Sequence, residues 1–372
     1  MAGAGVSFSP PAYPYERLDG LKKLADGHEG GPIDCSIGTP VDAPPQRVVE
    51  ELGRAEGIRG YPSSGGSVDF RRACAAWVER RFAVALAGDE LAACIGTKEF
   101  VGTLAGYLHL RSPERDTVLF PAVSYPTYAM GATLAGLRAV PVTMTNGRLD
   151  LDSINPADAD RALVLWANSP ANPTGALDDL EGIAAWGRAH AVLVASDECY
   201  AEFTWAGRPR SILEHGLEGV LAVHSISKRS NLAGLRAGFY AGDPPMVAYL
   251  RSVRQHAGFM VPGPVQAAVA VAYRDDEHVN VQRALYRTRL QLLSDALQLL
   301  GIEAPMPDGA FYLWCSREGM DGWALAAFLA ENAALIVSPG DLYGDDGAAF
   351  VRIAVVQPND RLELVAQRLR SL

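Results

Sequence analysis

Seven short apolar runs recur through the middle of the chain: Leu91–Ile95, Thr117–Pro121, Ala139–Thr143, Ala162–Ala167, Val192–Ser196, Val220–His224 and Ala237–Ala241. Each is nearly continuous and does not alternate, which is the pattern of a strand buried on both faces. Segments with helical spacing fall between several of them, at Glu99–Leu110, Tyr128–Ala135 and Asp178–His190. Strand-helix alternation of this kind predicts an α/β fold with a largely parallel sheet covered by helices. Ahead of it stand a helix over roughly 45–56, a loop at Arg59-Gly-Tyr-Pro-Ser-Ser-Gly-Gly, and an amphipathic helix at Val68–Phe82. The pattern changes after residue 275. A long helix over 277–300 precedes a strand at 310–315, a helix at 323–332, a strand at 350–354 and a last helix. The expected division is an N-terminal arm with part of a small domain (1–44), a large domain (45–275) and a small α+β domain (276–372). A length of 372 residues suits two packed domains.

Charge narrows the partners. The net charge of −10 argues against nucleic acid, whose backbone needs clustered Lys and Arg. No apolar run approaches the ~20 residues of a membrane span. The five cysteines are odd in number and none shows CxxC spacing, which fits reduced thiols and a cytoplasmic protein. The seven histidines are scattered without an HExxH or Cys/His cluster, so no metal site is expected. The Pro-rich residues 1–14 lack a signal-peptide pattern and read as an extended arm that docks through Tyr13 and Tyr15.

The chemistry centres on His224-Ser-Ile-Ser-Lys-Arg-Ser-Asn-Leu-Ala-Gly-Leu-Arg-Ala-Gly238. Lys228 stands at the mouth of a buried strand. Burial lowers a lysine's pKa, and a neutral amine can form a Schiff base. Ser225, Ser227 and Arg236 would surround it with donors suited to phosphate. An aldehyde-trapping lysine beside a phosphate cup suggests pyridoxal phosphate (PLP); a solvated Lys-Arg loop is the plainer alternative.

Other residues fit the same cofactor. Asp197 closes the run Val192–Ser196 and could face the pyridine nitrogen, or merely cap a turn. Tyr200 and the Asn172 of Asn-Pro-Thr-Gly could donate to the ring's phenolate oxygen. Thr97 and Lys98, in Gly96-Thr-Lys-Glu, open a helix whose free N–H groups suit phosphate. Neither a GxGxxG nor a Walker loop occurs. Tyr125 could stack on the ring, whereas Tyr128 reads as core. Tyr61 could reach a phosphate on a neighbouring subunit. Arg352, inside the apolar Phe-Val-Arg-Ile-Ala, requires a carboxylate partner, either a substrate's or the protein's own.

Asn172-Pro-Thr-Gly, Asp197-x-x-Tyr200, Ser225-x-Ser-Lys228 and Arg236, in that order, resemble the class I/II aminotransferases of PLP fold type I. The resemblance runs from Ile37-Gly38 to Arg352. It implies that Lys228 binds the cofactor and shuttles the proton, that Asp197 pairs with the pyridinium, and that Asn172 and Tyr200 hold the phenolate. It implies phosphate binding by Ser225, Arg236, Thr97 and Lys98, with Tyr61 arriving from the second subunit of a homodimer. Tyr125 would stack on the ring. Gly38 and Arg352 would hold the substrate's α-carboxylate. A cis Asn172–Pro173 bond is expected on the same basis.

Pro14-Tyr-Glu-Arg-Leu, Arg59-Gly-Tyr-Pro-Ser-Ser-Gly-Gly-Ser-Val-Asp-Phe-Arg, Ile95-Gly-Thr-Lys-Glu-Phe-Val and Phe259-Met-Val-Pro-Gly-Pro-Val-Gln are similar to actinobacterial N-succinyldiaminopimelate aminotransferases. That implies transfer between glutamate and N-succinyl-2-amino-6-ketopimelate in lysine biosynthesis. No arginine lies between Arg254 and Arg274, where a short-dicarboxylate reader would be expected. The reader of a distant carboxylate is then sought at the cleft rim: Arg17 first, with Lys98 and Arg229 behind it. Other amino-acid specificities, or a fold-type-I C–S β-lyase, would use the same cofactor residues. A PLP-binding regulator would need a DNA-binding module, and none is legible before Ser36.

Overall fold

The computed structural model describes residues 8–54 and 57–372. Its centre is a seven-stranded sheet of β1 (Leu91–Cys94), β2 (Thr117–Pro121), β3 (Arg138–Val142), β4 (Ala162–Asn168), β5 (Leu193–Asp197), β6 (Val220–Ser225) and β7 (Gly238–Gly242). The strand order is β1-β7-β6-β5-β4-β2-β3. The pairs β2–β3, β2–β4, β4–β5 and β5–β6 are parallel. Only β7 runs against its neighbours, pairing antiparallel with β1 and β6.

Alternate residues of each strand enter opposite cores. Leu165, Val194, Ala222 and Phe239 face one side with the helices Val68–Phe82, Leu180–Ala189 and Gly263–Arg274. Trp166, Ala195, Val223 and Tyr240 face the other with Thr97–Arg111, Thr127–Leu134 and Pro244–His256. This two-sided burial is why the strands read as continuous apolar runs. The helix Val68–Phe82 starts where the Ser67 side chain accepts from the Phe70 N–H at 3.1 Å, and ends at Ala83, which is left-handed at φ 57°. It buries Phe70, Trp77 and Phe82; truncating one such aromatic to alanine costs about 3–5 kcal/mol.

The expected helix over 45–56 is Gln46–Leu52; Ala55 and Glu56 lie outside the described residues, as do residues 1–7 of the arm. The helices Pro244–His256 and Gly263–Arg274 add to those the spacing predicts. The first has a legible start in Asp243, whose carboxylate accepts from the Met246 N–H at 2.8 Å ahead of two prolines.

The C-terminal part packs its own core. Tyr312–Ser316, Phe350–Ala354 and Ser338–Pro339 form an antiparallel sheet, covered by Glu277–Gln298, Gly322–Ala333 and Asn359–Arg370. Residues Ile33–Asp34 join this part by pairing in parallel with Leu335–Ile336. Among the described residues no helix is long and apolar enough to cross a membrane.

Candidate active site

A cleft of about 380 Å³ opens at the carboxyl ends of the parallel strands, between the two cores, where open α/β sheets bind ligands. The ends of β1, β2, β4, β5 and β6 and the loops that follow them deliver one or two side chains each. Thr97 and Lys98 follow β1, Tyr125 follows β2, Asn172 follows β4, Asp197 ends β5 with Tyr200 after it, and Ser225 ends β6 with Lys228 after it. Arg236 comes from the turn into β7, and Gly38 and Arg352 come from the small-domain side.

Lys228 sits in the one-turn helix Ile226–Arg229, capped by Ser225, whose hydroxyl accepts from the Ser227 N–H at 3.0 Å. Its ammonium donates to the Gly38 carbonyl. Burial, reinforced by the charges of Arg352 and Arg236, pulls its pKa down to about 8. Asp197 is buried; its oxygens accept from the Tyr128 hydroxyl at 3.0 Å and the Cys199 N–H at 3.2 Å. Burial pushes this carboxyl upward, against the pull of those donors.

Asn172 is held by Asn168, whose side-chain oxygen accepts the Asn172 N–H at 2.7 Å and whose amide donates to the Asp197 carbonyl at 2.8 Å. The Asn172 oxygen accepts from Arg352 at 2.7 Å, which leaves its amide nitrogen free to donate. The bond Asn172–Pro173 is cis, as expected, and Ser169–Pro170 is cis as well. The Tyr200 and Tyr312 hydroxyls lie 2.7 Å apart. Arg352 is buried, stacked 4.3 Å over Tyr312 and 4.9 Å over Tyr343. Its second donor reaches the Ser36 carbonyl, while its Nε has no partner.

Glycine is required at two of these places. Gly96 has φ 72°, and a Cβ there would run into the Arg236 guanidinium. A Cβ on Gly38 would meet the Tyr312 hydroxyl.

A family model, "Aminotransferase class I and II", matches residues 31–369. The chain belongs to the class I and II aminotransferases. It is 38% identical over 367 residues to a 4-dedimethylamino-4-oxo-anhydrotetracycline transaminase of Streptomyces rimosus, covering 96% of this chain and 99% of that one. It is 34% identical to an LL-diaminopimelate aminotransferase of Aquifex aeolicus, covering 97% of each. A solved structure described as a probable N-succinyldiaminopimelate aminotransferase of Thermus thermophilus superposes with a TM-score of 0.85 at 31% identity, covering 96% of this chain and 99% of that one.

Aminotransferases of this class are PLP-dependent, and so is this one. The residues present fit the cofactor. Asp197 is a buried carboxylate whose two partners are neutral donors, so it can accept a cation such as a protonated ring nitrogen. Arg236 spends one bond, at 2.8 Å, on the Ala233 carbonyl. It faces the N-terminus of the 15-residue helix Thr97–Arg111, and the two together suit a phosphate.

Two of the rim candidates, Arg17 and Arg229, stand outside the cleft lining, and Tyr61, expected to serve a second subunit, lies at the surface of its own. Arg17 is not among the cleft residues; it pairs with Asp341 at 2.9 Å and stacks 4.8 Å over Trp323. Tyr61 is 98% exposed, on a surface hollow beside Gly263 and Pro264. Arg229, sought at the rim, is fully buried behind the site, because five acceptors draw its guanidinium inward. Lys98 lines the cleft, but its ammonium donates to the Tyr13 hydroxyl at 3.0 Å. Tyr128 is core, as its pattern predicts, and its hydroxyl also reaches Asp197; Asn168 and Tyr312 join the cleft through Asn172 and Tyr200. Their roles depend on which hydroxyl or amide each meets across the fold, and nothing local signals that.

Proposed function

We propose that this aminotransferase moves an amino group between glutamate or 2-oxoglutarate and N-succinyl-2-amino-6-ketopimelate in lysine biosynthesis. The observation that carries this reading is the distribution of cations in the cleft. The lining holds two guanidiniums, Arg236 on the phosphate side and Arg352 on the small-domain side. The same lining includes Tyr13, Tyr15, Ile37 and Lys98. An acyl chain fits beside these aromatic and apolar side chains, with its far carboxylate read by Arg17 once its pair with Asp341 opens. The likeness to the Thermus thermophilus structure supports the same choice. The second reading is LL-diaminopimelate itself, favoured by the Aquifex aeolicus relative; it differs in carrying a free amine at the far end.

PLP, when bound, supplies the electron sink. The protein's residues supply the rest. Lys228, with its pKa drawn to about 8, is roughly one-tenth neutral at pH 7, against about one part in 3,000 for an ordinary lysine. That makes it a competent carrier of the substrate's α-proton. Asp197 would hold a proton on the ring nitrogen, Asn172 and Tyr200 would donate to the ring oxygen, and Tyr125 would cover the ring face. Thr97, Lys98, Ser225 and Arg236 bind the phosphate. Arg352 and Gly38 orient the α-carboxylate. Tyr61, exposed on one protomer, completes the partner's site in a homodimer. The five cysteines are all buried and unpaired, which supports a cytoplasmic setting.

The test is a half-reaction absorbance screen with N-succinyl-LL-diaminopimelate, LL-diaminopimelate, glutamate, aspartate and an aromatic amino acid. Turnover of the succinylated substrate with glutamate is expected. Brisk turnover of aspartate or the aromatic amino acid without it would overturn the specificity. Arg17→Ala should lose more kcat/KM on the succinylated substrate than on alanine if Arg17 reads the far carboxylate, and equal losses would remove it from that role.

A further inference from the structure

Two segments carry most of the cleft chemistry, Asp197–Glu202 and Ser225–Arg229. Behind the cleft, on the side away from substrate, their last residues meet. Arg229, which follows Lys228, donates from Nε to Glu202 Oε1 at 3.0 Å. Glu202 lies two residues beyond Tyr200. Arg229 and Glu202 side chains are 2% and 5% exposed.

Every N–H of Arg229 is engaged. Besides Glu202, it donates to the Ala272 carbonyl at 2.7 Å, Ser230 Oγ at 3.3 Å, Asp276 Oδ1 at 2.7 Å and the Asp275 carbonyl at 3.1 Å. Its plane lies 5.1 Å over Tyr273 and 5.7 Å over Trp77. Glu202 is equally fixed: Oε1 also accepts from Trp77 Nε1 at 2.8 Å, and Oε2 accepts from Arg81. Ala272 lies in the last turn of the helix Gly263–Arg274, and Asp275 and Asp276 form the joint to Glu277–Gln298.

We propose that Arg229 and Glu202 form a buried brace that sets the position of Lys228 relative to Tyr200 and Asp197. The helix carrying Lys228 is one turn long, and one turn has no stability of its own. Its orientation must come from side-chain anchors, and Arg229 is the anchor adjacent to the lysine. Stability alone does not call for an ion pair here, since a buried pair can often be replaced by apolar side chains at no loss. A planar fork with five acceptors instead fixes angle as well as distance. Lysine at 229 would keep the charge and lose the angle. Arg229 is thus a positioning residue. It acts through Lys228, and the proposal rests on the role given to Lys228 above.

The test uses Arg229→Lys and Glu202→Gln holoenzymes, normalised to bound PLP. Expected are a kcat at least tenfold down, KM for both substrates within about twofold, a larger primary isotope effect with α-deuterated glutamate, and a shifted midpoint in the pH titration of the bound cofactor's visible absorbance. Unchanged kcat per loaded site, isotope effect and midpoint would overturn the proposal, whatever happens to the melting temperature. Should Arg229→Lys not fold, Glu202→Gln decides on the same readings. Borohydride fixation of the cofactor at a residue other than Lys228 would overturn the reading of Lys228 itself, which separates the two failures.

Discussion

Arg352→Lys tests the reading of the small-domain side of the cleft. The arginine is buried, two of its nitrogens are held by Asn172 and Ser36, and its Nε is unpartnered. A lysine keeps the charge but cannot present a fork. The carboxylate then loses one charge-assisted bond, worth about 1.5–3 kcal/mol, and a buried acceptor on Asn172 or Ser36 is stranded at about 1–3 kcal/mol. Some relaxation brings the net to roughly 2–4 kcal/mol, or about 30- to 900-fold in kcat/KM. Most of it should appear in KM, because the α-carboxylate is bound in ground and transition states alike. The assay is the half-reaction with glutamate set against a simple primary amine lacking the carboxylate, both normalised to bound PLP. Glutamate should show the full loss and the amine less than about threefold. Equal losses on both would mean that Arg352 only supports the fold, and a loss on glutamate under about threefold would remove it from carboxylate binding.

Glu198 and His224 face each other at 3.3 Å in the core. Burial raises the Glu198 pKa to about 8 and lowers that of His224 to about 3. The folded state keeps a proton on Glu198 that the unfolded state releases, so stability falls as pH rises from ~4.5 to 8, by about 1.4 kcal/mol per unit. The His224 contribution is lost only as pH falls below ~6.5. Urea unfolding between pH 6.5 and 8 should therefore cost the wild type roughly 2 kcal/mol and Glu198→Gln almost none; parallel slopes would show the assignment wrong. In the PLP-free protein, amine-reagent labelling of Lys228 should be half-maximal near pH 8, where burial places its pKa, while surface lysines follow near ~10.4; coincident curves would contradict this. Gly96→Ala should weaken PLP retention at least tenfold, since it strains a left-handed position and displaces Arg236; unaltered retention on dialysis would count against the phosphate cup.

What was legible follows from where each signal comes from. The strands were readable because both faces of the sheet are covered, so their composition alone marks them. The place of Asp197 in the cleft was readable because it is a polar residue ending an apolar run, and those of Lys228 and Asn172 because each sits in a polar or turn segment within four residues of such an end, at the edge where a parallel sheet opens. The direction of β7 was not, since an apolar run looks the same whichever way it lies. The pairing of Ile33–Asp34 with Leu335–Ile336 spans two residues on each strand, too few to leave a period.

The residues whose contacts the sequence does not signal share a different cause. Arg229 reads as a rim cation because it follows a lysine in a polar loop. Its burial is decided by acceptors from Glu202, Ala272, Asp275 and Asp276, segments 27 to 47 residues away. Tyr128 and Tyr312 look like core aromatics because most of each ring is core; only the hydroxyl, meeting Asp197 or Tyr200, joins the site. Side chains that touch a ligand must stand at strand ends, where local pattern exposes them. Side chains that hold those residues in place sit one layer behind, where an arginine or a tyrosine is satisfied only by the assembled fold. Substitutions in that second layer should alter rate and spectrum while leaving substrate affinity nearly untouched, and the Arg229 and Glu202 variants read that distinction directly.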